Sequence, residues 1–313
     1  MKLIELFESE ILLMGGNAFP SLKLSRINRE DIGSTIDLIS KTLSPIGITK
    51  KYIMNHLMGS VNKQADSGDI DIALDNSKFS KETLIKISDI IRQKYDNEYV
   101  QTKTLPGGQI QTAWPIANNP SKGLIQVDFI LGSPDWLKFS HYSPGLDRSP
   151  YKGVWISTML GVLAKMKKEY ELWDEGPRND LKKQIARVSW SYDLEKGLHR
   201  QWKLRKRPGE RMGKTNPDEW ETKLPAKPVR FSRVGYINTP EDVVRIILGD
   251  DVKPSDIETF EELWGVIKQR SAEGELPPVN EIKQRFAQAL VRSSAVKQFK
   301  SPEDVLNEPI FRD

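Results

Sequence analysis

Apolar positions recur at helical spacing twice in the first third of the chain. Ile32, Ile36, Ile39 and Leu43 follow Asn28, a capping residue with Asp31 three positions on, and predict a helix. Leu84, Ile87 and Ile91 behind Ser80 predict a second, running to about residue 94. A further helix is expected over 2–13, ended by Gly15, Gly16 and Asn17. Extended pieces fall between and after these. Residues 52–58 and 70–74 read as strands, and 99–105 leads through Pro106, Gly107 and Gly108 into 109–116. In that last piece Ile110, Thr112, Trp114 and Ile116 alternate with polar neighbours. The run 123–131 reads as a buried strand interrupted by one carboxylate, Asp128.

Past a turn-rich stretch, 132–150, the pattern becomes helical. Residues 153–170 are strongly apolar, and 178–190 read as an amphipathic helix through Leu181, Ile185 and Val188. A basic tract and a Pro-rich connection, 224–228, lead to Thr239 and Pro240, an N-cap with proline at the first helical position. Everything beyond reads as helix. The expected division is 1–150, a core with N-terminal helices; 151–235, a helical region with the basic tract; and 236–313, a C-terminal helical region.

Composition narrows the chemistry. With 313 residues, 38% hydrophobic and 29% charged, the chain is long enough for real cores. No apolar run approaches the roughly 20 residues a bilayer span needs. Lys2, Glu5, Glu8 and Glu10 interrupt the opening segment, which is wrong for a secretory signal and sets a cytoplasmic or particle-borne expectation with no membrane partner. The absence of cysteine excludes disulfides, thiolate zinc sites and a cysteine nucleophile, and His56, His141 and His199 are dispersed. Any metal must rely mainly on oxygen ligands, which favours Mg²⁺ or Mn²⁺.

Such ligands are present. Asp69 and Asp71 are spaced i, i+2 on an expected strand, which points them to one face. Asp128 interrupts a buried strand, where a charge is costly unless it meets a cation. Just upstream, Gly59 lets the backbone approach a phosphate, and the following amides with the Ser60 hydroxyl can donate to it. Two divalent ions about 3.5–4 Å apart, shared by three carboxylates, are what nucleotidyl transfer requires.

Met58-Gly59-Ser60, then Asp69-Ile70-Asp71, then Val127-Asp128-Phe129 resemble the signature of the DNA polymerase β-like nucleotidyltransferase superfamily. The resemblance covers about 52–131, with a shorter gap from Ser60 to Asp69 than the superfamily usually shows. Gly15 to Phe19 and the 57–73 block are also similar to nucleotidyltransferase-like proteins of large tailed bacteriophages. The implied fold is α+β: a palm-like mixed sheet with flanking helices in the catalytic core, followed by a mainly helical C-terminal region. The implied activity is transfer of NMP from an NTP or dNTP, ATP among the candidates, to an acceptor hydroxyl. Carried over by residue, Gly59 and Ser60 hold triphosphate, Asp69 and Asp71 hold metals, and Asp128 serves the metal that activates the acceptor. Superfamily members often hold triphosphate with a basic residue on the helix after the core, which points to Lys165, with Lys152 as its rival. His141, in the loop following the Asp128 strand, could also reach the nucleotide.

Net charge is +4, but between Lys196 and Lys214 eight basic residues against the single Glu210 leave +7. Such tracts commonly meet nucleic-acid phosphates, and Trp202 among Arg200, Lys203, Arg205, Lys206 and Arg207 could stack on a base. A solvated loop is the plain alternative. Three readings stay open at this level: transfer to an RNA or DNA 3′ end, transfer to a protein or small molecule, and a non-catalytic nucleic-acid-binding or phage-particle protein.

Overall fold

The computed structural model describes residues 18–22, 24–59, 61, 63, 65–95, 102–105, 108–145, 147–167, 169–173, 184–204, 229–231, 235–293, 296 and 298–312. For 170–173, 184–186, 203–204 and 229–231 it describes backbone alone. The helix expected over 2–13, its Gly15–Asn17 ending and Ser60 lie outside the described residues.

The isoleucine rows build the first layer. Helix α1 (Arg29–Leu43) buries Ile32, Ile36, Ile39 and Leu43, and α3 (Lys81–Lys94) buries Leu84, Ile87 and Ile91. Asn28 occupies the N-cap of α1 without a side-chain capping bond, whereas Ser80 N–H ahead of α3 donates to Thr83 Oγ1. Both helices share one hydrophobic cluster with Ile70, Ile72 and Leu74 of β3 (Asp69–Asp75), Ile110 and Trp114 of β5 (Gln109–Pro115), and Ile125, Val127 and Phe129 of β6 (Leu124–Gly132). With β4 (Thr102–Leu105) these strands form a four-stranded sheet in the order β3-β6-β5-β4. The sheet is mixed: β3 and β6 run parallel, the other pairs antiparallel. A short antiparallel pair, β1 (Ile27–Asn28) with β2 (Asp66–Ser67), ties the entry to α1 to the entry to β3. Successive strand residues face opposite ways, so covering one face with helices leaves Asp69, Asp71 and Asp128 together on the other.

The expected strand over 52–58 is a helix, α2 (Lys50–Asn55), started by Thr49, whose hydroxyl accepts from the Tyr52 amide at 3.2 Å. Past α2 the chain is extended only briefly: Ala73 N–H donates to the His56 carbonyl and Met58 N–H to the Asp71 carbonyl, both at 2.9 Å. The turn-rich stretch 132–150 contains α4 (Pro134–Ser140), whose proline sits in the first turn and whose Trp136 and Leu137 are buried.

Helix α5 (Gly153–Met166) follows as expected, though shorter. Of the amphipathic helix expected over 178–190, residues 178–183 lie outside the described residues and the remainder is strand, β8 (Gln184–Asp193). It pairs with β7 (Glu169–Trp173) and β9 (Gly197–Leu204), and β10 (Val229–Phe231) completes a second sheet, antiparallel throughout, in the order β10-β9-β8-β7. Among its described residues the intermediate region is therefore a sheet packed on a helix, where helices alone were expected. Val188 and Trp190 alternate inwards on β8, as Leu198 and Trp202 do on β9, and pairing between these strands overrides the helical spacing of Leu181, Ile185 and Val188.

The chain ends in α6 (Pro240–Leu248), α7 (Phe260–Ala272), α8 (Val279–Arg292) and α9 (Pro302–Leu306). Trp155 of α5 stands among Phe260, Phe286, Phe299 and Phe311, ring centroids 5.0–6.3 Å apart. Each such buried side chain contributes about 1.5–3 kcal/mol. The same cluster takes in Met58, Ala73 and Ile130, so the C-terminal helices and the second sheet anchor on the carboxylate-bearing sheet. No helix among the described residues is long and apolar enough to cross a membrane.

Candidate active site

Strand register assembles the site. Across the parallel β3–β6 pair, Asp71 stands opposite Asp128 and Asp69 opposite Gln126; across β5–β6, Gln111 stands opposite Asp128. The exposed edge of this patch is polar and its two ends are apolar. Ala18, Phe19 and Ala113 close one end, and Met58, Ala73 and Ile130 lie towards the other. Ala18 N–H also donates to Gln126 Oε1 at 2.9 Å, fixing that amide.

Asp128 is only 5% exposed and is held by three amides. Its Oδ2 accepts from Gln109 Nε2 at 2.9 Å, Gln111 Nε2 at 3.3 Å and Gln126 Nε2 at 3.1 Å, and its Oδ1 from Gln126 Nε2 at 3.0 Å. Burial and then the Asp69 charge push its carboxyl up to about 7, against the pull of the three glutamines. Burial, then Asp69, then Asp128 hold the Asp71 carboxyl well above the usual carboxylate range. Arg26 pairs with Asp66 at 2.6 Å and also feels the Asp69 charge.

Gly59 lies against this cluster. It has φ +67°, and a Cβ there would stand 3.0 Å from Asp71 Oδ2. The backbone is therefore in the left-handed region, with a carboxylate where a side chain would go. A parallel bridge joins Gly59 to Tyr142, in the loop after α4. Lys63 lies over the Tyr142 ring, Nζ 4.2 Å from its centroid, and donates to the Ser143 carbonyl at 3.1 Å. Burial lowers its ammonium pKa; Glu258 opposes that and Arg148 adds to it. Arg148 donates to the Tyr142 hydroxyl at 3.2 Å and to Glu258 at 2.7 Å. Lys63 and Arg148 thus both lie against Tyr142, the residue bridged to Gly59.

Of the two lysines on α5, position separates them. Lys152 caps the helix at the Tyr142 end, where Gly153 N–H donates to Ser143 Oγ at 3.4 Å. Lys165 lies thirteen residues further along, about 20 Å at 1.5 Å per residue, with Arg292 for a neighbour. The structure does not bring Lys165 to the carboxylates. His141 is occupied locally: its Nδ1 lies 3.0 Å from Ser140 Oγ and 3.3 Å from the Leu137 carbonyl, and burial lowers its pKa to about 4.

The basic tract corrects most sharply. Trp202 is 4% exposed and belongs to the core, so it cannot stack on a base. Arg200 lies between the Trp190 and Trp202 rings, 5.3 and 4.9 Å from their centroids, and pairs with Glu169 at 3.3 Å. Lys203 is described by its backbone on β9, and Arg205, Lys206 and Arg207 lie outside the described residues.

Gln109, Gln111, Gln126 and Lys63 were not singled out in the sequence. The glutamines carry the same i, i+2 alternation that identified Asp69 and Asp71, and Lys63 follows Ser60 by three positions. An all-oxygen donor set of mutually repelling carboxylates suits a hard divalent cation, which would relieve the raised carboxyl pKa values. Among the described residues no three acidic or histidine side chains stand at metal-ligand spacing, and Asp128 accepts from amides instead.

No family model matches this chain, and no curated protein does. Among solved structures, it is similar to Leishmania infantum polymerase beta in a ternary P/T complex, at 12% identity and TM-score 0.35, over 74% of this chain and 76% of that one. The ternary gap complex of polymerase beta from the same organism gives 11% identity and TM-score 0.34, over 74% and 70%. Likenesses at this level leave the functional argument to the residues themselves.

Proposed function

We propose that this chain is a metal-dependent nucleotidyltransferase of the polymerase β-like type, moving NMP from an NTP or dNTP to an acceptor hydroxyl. The observation that carries this is the register of Asp71 against Asp128 on parallel strands, with Asp69 on the same face and the Gly59 backbone against Asp71. Asp69, Asp71 and Asp128 would hold Mg²⁺ or Mn²⁺, which when bound neutralises triphosphate charge and acidifies the acceptor hydroxyl. The chain's own residues do the rest. The Gly59–Ser60 turn receives the triphosphate, and Lys63, Arg148 and Lys152 add positive charge beside it. The glutamine amides orient Asp128, and Ala18, Phe19, Met58 and Ile130 restrict water at the ends of the patch.

The acceptor is a nucleic-acid end or, in the second reading, a protein or small molecule; Arg200 and Trp202 are absorbed into the fold, so contacts to a nucleic acid would fall to other residues. Incubation with each labelled NTP and Mg²⁺, together with RNA, DNA or protein extract, tests both points. Label on nucleic acid identifies a nucleic-acid acceptor, and label on protein or a small molecule identifies the other class. Absence of transfer with all acceptors removes the enzyme reading, and full transfer by Asp71→Asn removes the carboxylate-metal mechanism.

A further inference from the structure

The three glutamines do not hold Asp128 in the same way. Gln109 and Gln111 donate to Oδ2 alone. Gln126 Nε2 lies 3.0 Å from Oδ1 and 3.1 Å from Oδ2, nearly equidistant from the two oxygens. Its N–H group, the positive end of the amide dipole, therefore stands on the axis of the carboxylate, where attraction for a cation is strongest. Among the described residues Oδ1 accepts from Gln126 only. Turning this one side chain away leaves Oδ1 without a donor, while Oδ2 keeps the two amides of β5 that orient it. The Gln126 amide and a divalent cation thus compete for one place on Asp128.

What fixes the Gln126 amide lies outside the sheet. Its Oε1 accepts from Ala18 N–H at 2.9 Å, a contact between residues 108 positions apart, and this leaves Nε2 directed at Asp128. The segment that supplies the N–H is seated by few side chains. Ala113 stands opposite Gln126 in the β5–β6 register and shares its face, and Ala18 and Phe19 are buried against it. Leu22 N–H donates to the Phe19 carbonyl at 3.0 Å, which closes the segment into a turn, and Ser25 N–H donates to the Leu124 carbonyl at 2.7 Å, which ties its far end to β6. Ala18, Phe19 and Ala113 form a cluster separate from the two large cores, with Leu22 and Leu24 beside them. A satellite cluster of this size opens at a fraction of the free energy of global unfolding, so residues 18–22 can lift from Ala113 while the sheet stays paired.

We propose that residues 18–22 are an autoinhibitory latch: seated on Ala113 they hold the Gln126 amide on Asp128 and oppose cation binding there, and lifted they release it. The proposal rests on the metal-dependent reading above. Mn²⁺ titration of the intact protein by calorimetry, with hydrogen exchange of the 18–22 amides, tests it without measuring transfer. Ala18→Pro removes the N–H that fixes Gln126 and leaves every donor to Asp128 in place. It is expected to tighten Mn²⁺ binding roughly tenfold, the effect of one charge-assisted hydrogen bond that no longer has to be broken. Gln126→Leu should tighten it at least as much, and adding Asp128→Asn to Ala18→Pro should abolish the gain. By reciprocity, saturating Mn²⁺ should speed exchange at 18–22 in the wild-type protein, by up to roughly the same factor. Unchanged or weaker Mn²⁺ binding in Ala18→Pro overturns the latch, as does slower exchange with Mn²⁺. Ala18→Pro alters only the peripheral segment, so it decides the matter if Gln126→Leu fails to fold; tightening by Gln126→Leu alone means that Gln126 shields Asp128 without the segment and also overturns the latch. A protein that binds no Mn²⁺ in any of these forms loses the metal-dependent reading and the latch together, an outcome distinct from Mn²⁺ bound equally by all of them.

Discussion

Asp71 and Asp128 stand directly opposite one another on adjacent parallel strands, one against the Gly59 backbone and the other clasped by three glutamine amides. Two carboxylates that face each other in a half-dry patch destabilise the fold that places them there, and this cost is retained where function needs it. Asp71→Asn should therefore do two opposite things. Transfer should fall by at least about a hundredfold, while the metal-free protein gains about 1–2 kcal/mol, read from denaturant unfolding in EDTA. A loss of stability would show that Asp71 has a compensating partner.

Gly59 has no side-chain alternative at its position. With φ +67° and Asp71 Oδ2 3.0 Å from the site of a Cβ, Gly59→Ala should cost about 1–2 kcal/mol and push the carboxylate aside. The expected kinetic result is a fall in kcat together with a rise in KM for the NTP. A variant with wild-type KM would remove the turn from the nucleotide site.

Lys63 lies over the Tyr142 ring and has no carboxylate in ion-pair contact among the described residues. Lys63→Met keeps most of its packing and removes the charge. KM for the NTP should rise about tenfold, with tripolyphosphate binding weakened in parallel and the unfolding midpoint within a degree or two. An unchanged KM would mean that its charge is spent on Tyr142 and Ser143.

His141 gives the fold a pH dependence of predictable sign. Burial lowers its folded-state pKa from 6.5 to about 4, so the unfolded chain takes up the proton first. Its contribution is complete above pH 6.5 and is lost progressively as pH falls towards 4, by up to about 3 kcal/mol. Unfolding measured at pH 7.0, 5.5 and 4.5 checks this, because His141→Asn should flatten the slope over that window.

Trp202→Ala separates core from interface. Removing a 4%-exposed indole from the cluster it shares with Val188, Trp190 and Leu198 should cost about 3–5 kcal/mol. Whatever nucleic-acid affinity the protein has should persist in the fraction that remains folded. Specific loss of affinity at unchanged stability would restore Trp202 as a stacking residue.

The sequence alone determined the features that depend on local spacing. The isoleucine rows of α1 and α3, the strand through Asp69 and Asp71, the buried strand through Asp128 and the proline-started helix α6 are each set by periodicity, capping or alternation within a few residues. Since i, i+2 positions on a strand share a face, the pairing of Asp69 with Asp71 was legible too. What tertiary structure decided depends on pairing between distant segments. Residues 184–193 carry both a helical and an alternating pattern, and their pairing with β9 chose the strand. That same pairing turned Trp202 and Arg200 inwards, which no count of charges along the chain could reveal. The direction of α5 placed Lys152 beside Tyr142 and carried Lys165 away, although both belong to one helix region in sequence. The glutamine clamp on Asp128 likewise required β5 to pair with β6 in one register, because a slip of one residue would turn Gln109 and Gln111 to the opposite face.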